Sequence, residues 1–245
     1  MTSFGPTMQV FLYALATALA TGLGALPFAF ARHLSDRAIA TANAIAAGLM
    51  LGASLGLVAE GAHHGGWETF VGVNFGIAFI VLTQRLIGDH EPAFGGLSGA
   101  GARRMLLMVV VMTVHSFAEG AAVGVAFGGG MALATAITVA IAVHNVPEGL
   151  AITAVLRPQG QSLLACAGWS VFSSLPQPLM AVPAFWFVEH FASALPYGLG
   201  FAAGAMILMV LVELLPEAYE QEAGRRVALI VGLTLAGMLL FQRFI

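Results

Sequence analysis

Four ionisable side chains in two apolar stretches carry the chemistry that this sequence suggests. The stretch VMTVHSFAEGAAVG contains His115 and Glu119, and the stretch IAVHNVPEGLAI contains His144 and Glu148. In each pair the two residues are four positions apart, so a helix places both on one face, one turn apart. Two imidazoles and two carboxylates suit Zn²⁺, with Fe²⁺, Mn²⁺, Co²⁺ and Cd²⁺ as alternative ions.

The repetition of this pattern favours a functional site. The segments HSFAEG and HNVPEG begin 29 residues apart and look like a duplicated motif. An ionisable group at the centre of a bilayer costs about 2.5–3.5 kcal/mol on insertion scales, so it usually faces a cavity or a partner. Structural hydrogen bonds between His and Glu on neighbouring helices are the alternative. Two pairs with identical spacing favour a metal or proton site over that alternative.

The surrounding segments are apolar enough to cross a membrane. Of the 245 residues, 59% are hydrophobic and only 9% are charged, whereas soluble domains carry about 25% charged residues. A hydrocarbon core about 30 Å thick needs roughly 20 apolar residues in a helix. Because lipid cannot satisfy backbone hydrogen bonds, such runs must be helical. The composition therefore predicts an all-α integral membrane protein.

We predict one transmembrane domain over residues 1–245, formed by an eight-transmembrane-helix bundle. These spans 1 to 8 lie near residues 8–30, 38–61, 69–87, 104–128, 131–156, 162–188, 193–216 and 225–244. The segment MTSFGPTMQV contains no basic residue, so we expect span 1 to be retained and not cleaved as a signal peptide. The single cysteine, Cys166, excludes a disulfide framework and a cysteine metal site.

The arginines predict the orientation of the bundle. All nine basic residues are arginines, and eight of them lie at or in the loops that follow odd-numbered spans. These eight are Arg32, Arg37, Arg85, Arg103, Arg104, Arg157, Arg225 and Arg226. The exception is Arg243, at the far end of span 8. By the positive-inside rule the odd loops are cytoplasmic, and both the N- and C-termini lie outside.

The segment H-N-V-P-E-G-L-A in span 5 resembles the signature of the ZIP (Zrt/Irt-like) family of divalent-metal transporters, in particular its GufA-type prokaryotic branch. Three further segments are similar to family patterns: A-A-G-L-M-L-G-A-S around Met50, S-S-L-P-Q-P-L-M-A around Gln177, and L-V-E-L-L-P-E around Glu213. The predicted topology is also that of the family. The resemblance implies a single transport domain with an inverted 3+2+3 arrangement of helices.

The resemblance also implies a set of metal-binding residues. Its first site corresponds to the His115, Glu119, His144 and Glu148 cluster, with Met50 close by. Its second site maps to Ser116, Asn145 and Gln177, with Glu148 as a bridge. Relatives usually have Asn at the first of these three positions, often a carboxylate at the second and Glu at the third. Because all three are neutral here, we expect a strong first site and a weak or absent second one.

The function implied is uptake of a divalent transition-metal ion, with Zn²⁺ as the transported substrate, into the cytoplasm by alternating access. The ion would leave past Glu213, although a solvated acid at a helix end is the alternative for this residue. The resemblance places the protein in the cell membrane as a multi-pass protein, with the bacterial inner membrane as the expected location. The partners are the metal ion and the lipid bilayer, with a homodimer as a further option. The net charge of −3 gives no indication of nucleic-acid binding.

Other classes of function remain open at this point. A metal-gated channel or sensor could use the same site without alternating access. An intramembrane metalloenzyme is disfavoured because the sequence contains no H-E-x-x-H. A haem bound by His115 and His144 is disfavoured by the glutamate one turn from each histidine. Further polar residues are either metal-handling or simply exposed: His63 and His64 with Glu60 and Glu68, His190 with Glu189, and His90 with Asp89 and Glu91.

Overall fold

The chain forms a helical bundle in a computed structural model, which describes residues 5–31, 34–88 and 100–244. The α-helices are α1 (Pro6–Leu23), α2 (Pro27–Phe30), α3 (Asp36–His64), α4 (Gly66–Gly88), α5 (Ala100–Gly128), α6 (Met131–Leu156), α7 (Leu163–Ser174), α8 (Pro176–His190), α9 (Leu195–Met209), α10 (Leu215–Gln221) and α11 (Gly224–Phe244). Short 3₁₀ turns lie at Arg157–Gln159 and Ala192–Ala194, and a π-helical segment lies at Val210–Leu214.

These helices confirm the predicted all-α fold with eight long helical segments. Seven are long and apolar enough to cross a membrane: Pro6–Phe30, Asp36–His64, Gly66–Arg85, Met131–Gln159, Leu163–His190, Ala192–Gln221 and Gly224–Phe244. The eighth is α5, which has 29 residues and corresponds to span 4. The ends lie within a few residues of the predicted ones. The inverted 3+2+3 arrangement stays a prediction.

Local signals explain where several helices begin. Ser35 precedes α3 and its hydroxyl accepts a hydrogen bond from the Ala38 backbone N–H at 3.3 Å. Ser162 caps α7 in the same way, with a distance of 3.1 Å to the Ala165 nitrogen. Such N-caps satisfy a backbone donor that the first helical turn leaves free. Proline begins α1, α2 and α8, where its missing N–H costs nothing.

Two spans are interrupted where the sequence prediction had them continuous. Span 6 breaks at Leu175, between α7 and α8. Pro176 and Pro178 follow the break, and proline removes a backbone donor and clashes with the preceding turn. Span 7 widens into the π-helical segment Val210–Leu214, two residues before Pro216. Segments of this kind often occur at functional sites.

The helices pack as two groups, and α5 and α6 belong to the first. In the first helix group, α1 packs against α6, α7 and α8, and α5 packs against α6 and α8. In the second helix group, α4 packs against α9, and α3 packs against α9, α10 and α11. The groups meet where α3 contacts α6 and where α5 contacts α9. Of the seven membrane-spanning segments named above, the one containing α6 is the most buried and α11 is the least.

An ion-pair network joins the loop after span 1 to the loop after span 7. Arg37 Nε lies 2.8 Å from Glu222 Oε2, and Arg226 Nη1 lies 3.5 Å from the same oxygen. The Ala223 backbone N–H, which donates to Glu222 at 3.0 Å, and both guanidinium groups hold the pKa of the Glu222 carboxyl below its ordinary value. Both loops therefore lie at one end of the bundle, as the arginine pattern requires. That this end is cytoplasmic stays a prediction.

Close backbone contact between α1 and α6 depends on two glycines. A methyl group at Gly149 would overlap the Thr21 carbonyl oxygen, and a methyl group at Gly24 would overlap the backbone of Val146 and Leu150. Small residues at helix interfaces allow this approach in lipid, where packing holds helices together. Gly149 directly follows Glu148, so the same contact positions the proposed metal ligand.

We expect Gly149→Ala to lower the stability of the protein by about 1–3 kcal/mol, because the added methyl forces α1 and α6 apart. Thermal unfolding of the purified protein in detergent measures the loss. Gly237→Ala in α11 is the matched control, since no atom lies within 4 Å of the added methyl. That variant should unfold at the same or a slightly higher temperature, because alanine favours helix over glycine. Equal unfolding temperatures for the two variants would contradict this account of the contact.

Candidate metal centre

The structure brings the two His-x-x-x-Glu pairs together inside the bundle. His115 Nε2 lies 3.4 Å from Glu148 Oε1. His144 Nε2 lies 3.1 Å from Glu119 Oε1 and 3.2 Å from Glu148 Oε1. The four side chains are almost completely buried, and their ligating atoms lie within 4.8 Å of one another. The facing sides of α5 and α6 thus form a compact cluster of two nitrogen and two oxygen atoms.

These four converging atoms lack other partners. His115 Nε2, Glu119 Oε1, His144 Nε2 and Glu148 Oε1 are buried, and none makes a well-aligned hydrogen bond to another described residue. Buried polar atoms are normally hydrogen-bonded, so four exceptions at one point require a reason. A tetrahedral zinc ion with bonds of about 2.0 Å separates its ligand atoms by about 3.3 Å. The three measured separations of 3.1–3.4 Å fit that geometry.

Glu213 contacts this cluster directly. Its Oε2 lies 3.2 Å from His115 Nδ1, on the side of the ring away from Glu148. Its Oε1 accepts a hydrogen bond from Gln84 Nε2 at 2.8 Å. The side chain is 24% exposed, so Glu213 is neither a freely solvated acid nor a member of the central four. A carboxylate on the second nitrogen of a metal-binding histidine fixes the tautomer and the ring orientation.

The three neutral positions of the expected second site lie beside the cluster. Gln177 Nε2 donates to Glu119 Oε2 at 2.7 Å, and Gln177 Oε1 accepts from Asn145 Nδ2 at 3.2 Å. Ser116 is buried, and its Oγ has no hydrogen-bond partner among the described residues. The structure therefore brings the predicted residues together, but it engages two of them in hydrogen bonds.

Met50 is fully buried on α3. It belongs to the hydrophobic cluster that also contains Ala118 and Ile141, each three residues from a histidine of the site. The helix α3 packs against α6, which carries His144 and Glu148. A role for the Met50 sulfur as a ligand stays a prediction.

The outer histidines form no comparable centre. His64 Nε2 pairs with Glu60 Oε1 at 3.1 Å on the exposed surface of α3, and His63 is also exposed. His190 Nδ1 lies 2.8 Å from the Trp186 carbonyl oxygen within α8. Within residues 5–31, 34–88 and 100–244, the four central residues are the one group of three or more His, Cys, Asp or Glu close enough to share a metal. His90, Asp89 and Glu91 lie outside the described residues.

Sequence reasoning missed two polar residues that contact the site. Thr17 on α1 donates from its hydroxyl to Gln177 Oε1 at 2.5 Å, and its carbonyl accepts from Asn145 Nδ2 at 2.7 Å. Gln84, near the end of α4, holds Glu213. A buried threonine is common in a membrane helix and signals little by itself. Gln84 is a polar residue next to Arg85 in the sequence. That position does not reveal which residue it binds.

Comparison with known proteins agrees with this geometry. Residues 97–241 match the family described as ZIP zinc transporter. The chain is 32% identical over 222 residues to the zinc transporter GufA of Myxococcus xanthus, covering 83% of this chain and 87% of that protein. It is 32% identical over 243 residues to the zinc transporter ZupT of Corynebacterium glutamicum, covering 90% and 91%.

A plant protein is also similar. The chain is 44% identical over 233 residues to an Arabidopsis thaliana protein whose name gives zinc transport as its proposed role. The match covers 94% of this chain but only 38% of the longer plant protein. Together with the two bacterial matches, this similarity extends over nearly all of the sequence. The chain therefore belongs to the ZIP zinc transporter family.

Proposed function

We propose that the protein carries a divalent transition-metal ion, zinc above all, across the membrane into the cytoplasm. The observation that carries this proposal is the convergence of four buried, otherwise unpartnered ligand atoms between α5 and α6. Two imidazole nitrogens and two carboxylate oxygens suit Zn²⁺, and the names of the relatives support the same ion. Fe²⁺, Mn²⁺, Co²⁺ and Cd²⁺ are tolerated by similar ligands and are the alternatives. ZIP proteins are transporters, so the intramembrane metalloenzyme is set aside.

The charge of the site supports one ion per chain. Glu119 and Glu148 supply two negative charges, which one divalent ion neutralises. The neighbouring positions Ser116, Asn145 and Gln177 are neutral, so a second cation would find no charge of its own. Burying an uncompensated charge costs several kcal/mol. We therefore propose a single ion at the first site.

The burial of the site supports alternating access as the mechanism. The four ligands are buried in this conformation, so an ion can enter or leave only if the helices around them move. The division into two helix groups supports a movement of α1, α5, α6, α7 and α8 against the others. The cytoplasmic end would be the end with Arg37 and Glu222, and both termini would lie outside. The bilayer would be the cell membrane, the inner membrane in a bacterium.

A cavity supports the proposed direction of release. It has a volume of about 260 Å³ and lies between α3, α6 and α10, lined by Ile39, Ala151 and Glu217 among others. Glu213 is partly exposed, contacts His115 and precedes α10 by two residues, and Glu217 of α10 lines the cavity. The ion would leave past Glu213 toward this end of the bundle.

Replacing Glu148 by Ala should abolish zinc uptake, because Glu148 is the oxygen ligand that both histidines contact. Uptake of Zn²⁺ into liposomes containing the purified protein measures the effect. Glu220→Ala, at an exposed glutamate of α10, is the matched control and should keep wild-type uptake. Uptake that persists in Glu148→Ala would remove the central cluster from the mechanism. Wild-type flux that does not saturate with zinc concentration would indicate a channel.

Replacing Glu213 by Gln should weaken zinc binding about 10–100-fold, because an amide holds the His115 ring less firmly than a carboxylate does. Calorimetric titration of the purified, metal-free protein with ZnCl₂ gives the affinity. Glu220→Gln on the exposed surface of α10 is the matched control, since it introduces the same change seven residues away. Identical affinities for the two variants would mean that Glu213 does not position His115.

A further inference from the structure

Gln177 connects four helices at the edge of the metal centre. It is fully buried in the first turn of α8. Its amide oxygen accepts from Thr17 Oγ1 of α1 at 2.5 Å and from Asn145 Nδ2 of α6 at 3.2 Å. Its amide nitrogen donates to Glu119 Oε2 of α5 at 2.7 Å. Gln177 thus links Glu119, a proposed metal ligand, to the uncharged side chains of Thr17 and Asn145.

The hydrogen-bond chain itself determines which end of the Gln177 amide faces Glu119. The backbone carbonyl of Thr17 can only accept, so the Asn145 atom 2.7 Å away must be its NH₂ group. That NH₂ group also faces Gln177, so Gln177 must present its oxygen there. The remaining Gln177 atom is then its NH₂ group, which donates to Glu119. A single fixed acceptor on α1 therefore orients the whole chain.

The consequence for Glu119 is that its two oxygens have different roles. Oε2 is held by Gln177, whereas Oε1 lies 3.1 Å from His144 Nε2 and is one of the four unpartnered ligand atoms. We propose that Gln177 is a positioning residue that makes Glu119 a one-oxygen ligand and keeps the site at two negative charges. This inference rests on the proposed metal site. It assigns Gln177 to the support of that site and not to the ligands.

Contacts of the backbone near Gln177 with α5 and α1 hold this residue close to Glu119. A methyl group at Gly120 would overlap the Gln177 carbonyl oxygen, so α5 and α8 are in direct backbone contact beside Glu119. The end of α7 is attached to α1 by a 2.8 Å hydrogen bond between the Thr21 and Ser174 hydroxyls. The break at Leu175 then lets Pro176 begin a new helix with Gln177 in its first turn. The backbone that carries Gln177 is therefore held against α5 at Gly120 and, through Ser174, against α1.

Glutamate and methionine have side chains of similar size to glutamine, but neither could make the same hydrogen bonds at position 177. Glutamate would place a second carboxylate oxygen near Glu119 Oε2, and two such groups must share a proton or bind a cation between them. Methionine has the right length but no donor, so it would leave the buried Glu119 Oε2 without the donor that it has here. The Asn145 NH₂ group would keep only its hydrogen bond to the Thr17 carbonyl. Glutamine satisfies both neighbours and adds no charge.

Zinc binding to purified, metal-free protein tests the inference without reference to transport. Titration with ZnCl₂ gives the affinity and the number of ions per chain for the wild type, Gln177→Met and Gln177→Glu. We expect one ion for the wild type and a loss of affinity of about tenfold or more for Gln177→Met, the size expected when a hydrogen bond to a charged group is lost. Gln161→Met, at a partly buried glutamine before α7, is the matched control.

The number of zinc ligands separates positioning from a general structural role. X-ray absorption of the zinc-loaded protein should give four nitrogen or oxygen ligands in the wild type. In Gln177→Met the freed Glu119 Oε2 should join Oε1 on the metal and raise the number to five. A variant that is only less stable would keep four. Should Gln177→Met fail to fold, Gln177→Glu provides the test, because it keeps the size of the side chain.

For Gln177→Glu we expect either two ions per chain or one ion bound at least tenfold more weakly. One ion bound with wild-type affinity and four ligands would overturn the inference, and so would equal affinities for Gln177→Met and Gln161→Met. These results are distinguishable from a failure of the proposed function. A wild-type protein that binds one zinc ion but does not carry it into liposomes would overturn transport and leave the role of Gln177 intact.

Discussion

Two carboxylates buried next to two imidazoles are the constraint on which the rest of the structure depends. Removing a carboxylate from water costs several kcal/mol unless partners compensate for it. Glu119 and Glu148 are compensated only in part, by histidine nitrogens at 3.1–3.4 Å that are poorly aligned for hydrogen bonding. A divalent cation would complete the compensation, and the cluster has the ligand types that such an ion needs.

Two supporting contacts act on opposite members of the cluster and have opposite chemical character. Gln177 donates a hydrogen bond to Glu119, whereas the Glu213 carboxylate lies 3.2 Å from His115 Nδ1. The donor lies in a fully buried network with Thr17 and Asn145. The acceptor is partly exposed and bonded to Gln84. The Gln177 side of the site is therefore buried and uncharged, and the Glu213 side carries a carboxylate that is partly exposed.

Departures from regular helix position both supports. Pro176 begins a new helix and places Gln177 in its first turn, and the π-helical segment before Pro216 contains Glu213. Glycine complements these breaks, because Gly149 and Gly120 allow α1 and α8 to approach the helices that carry the ligands. Each device is local and simple. Their combined effect is to bring supporting residues from α8 and span 7 to the His and Glu side chains of α5 and α6.

The sequence by itself determined what depends on local spacing. Runs of about 20 apolar residues predicted the helices, and His115 with Glu119 and His144 with Glu148 predicted two ligand faces, because a separation of four residues has one meaning in a helix. The resemblance around Asn145 and Gln177 indicated which residues lie near the metal. None of these patterns specifies what each side chain binds, and the two helix interruptions were missed because proline in a long apolar run leaves several outcomes open.

Only the tertiary structure decided the contacts between distant segments. The sequence placed Glu213 at the exit or in solvent, and the structure adds its contacts with His115 and with Gln84, which is 129 positions away in the chain. The sequence placed Gln177 in a weak or absent second site, and the structure adds its hydrogen bonds to Glu119 and Asn145. The reason is physical. The orientation of a buried amide depends on every donor and acceptor around it, and here these come from α1, α5 and α6, which are adjacent only after the bundle has packed.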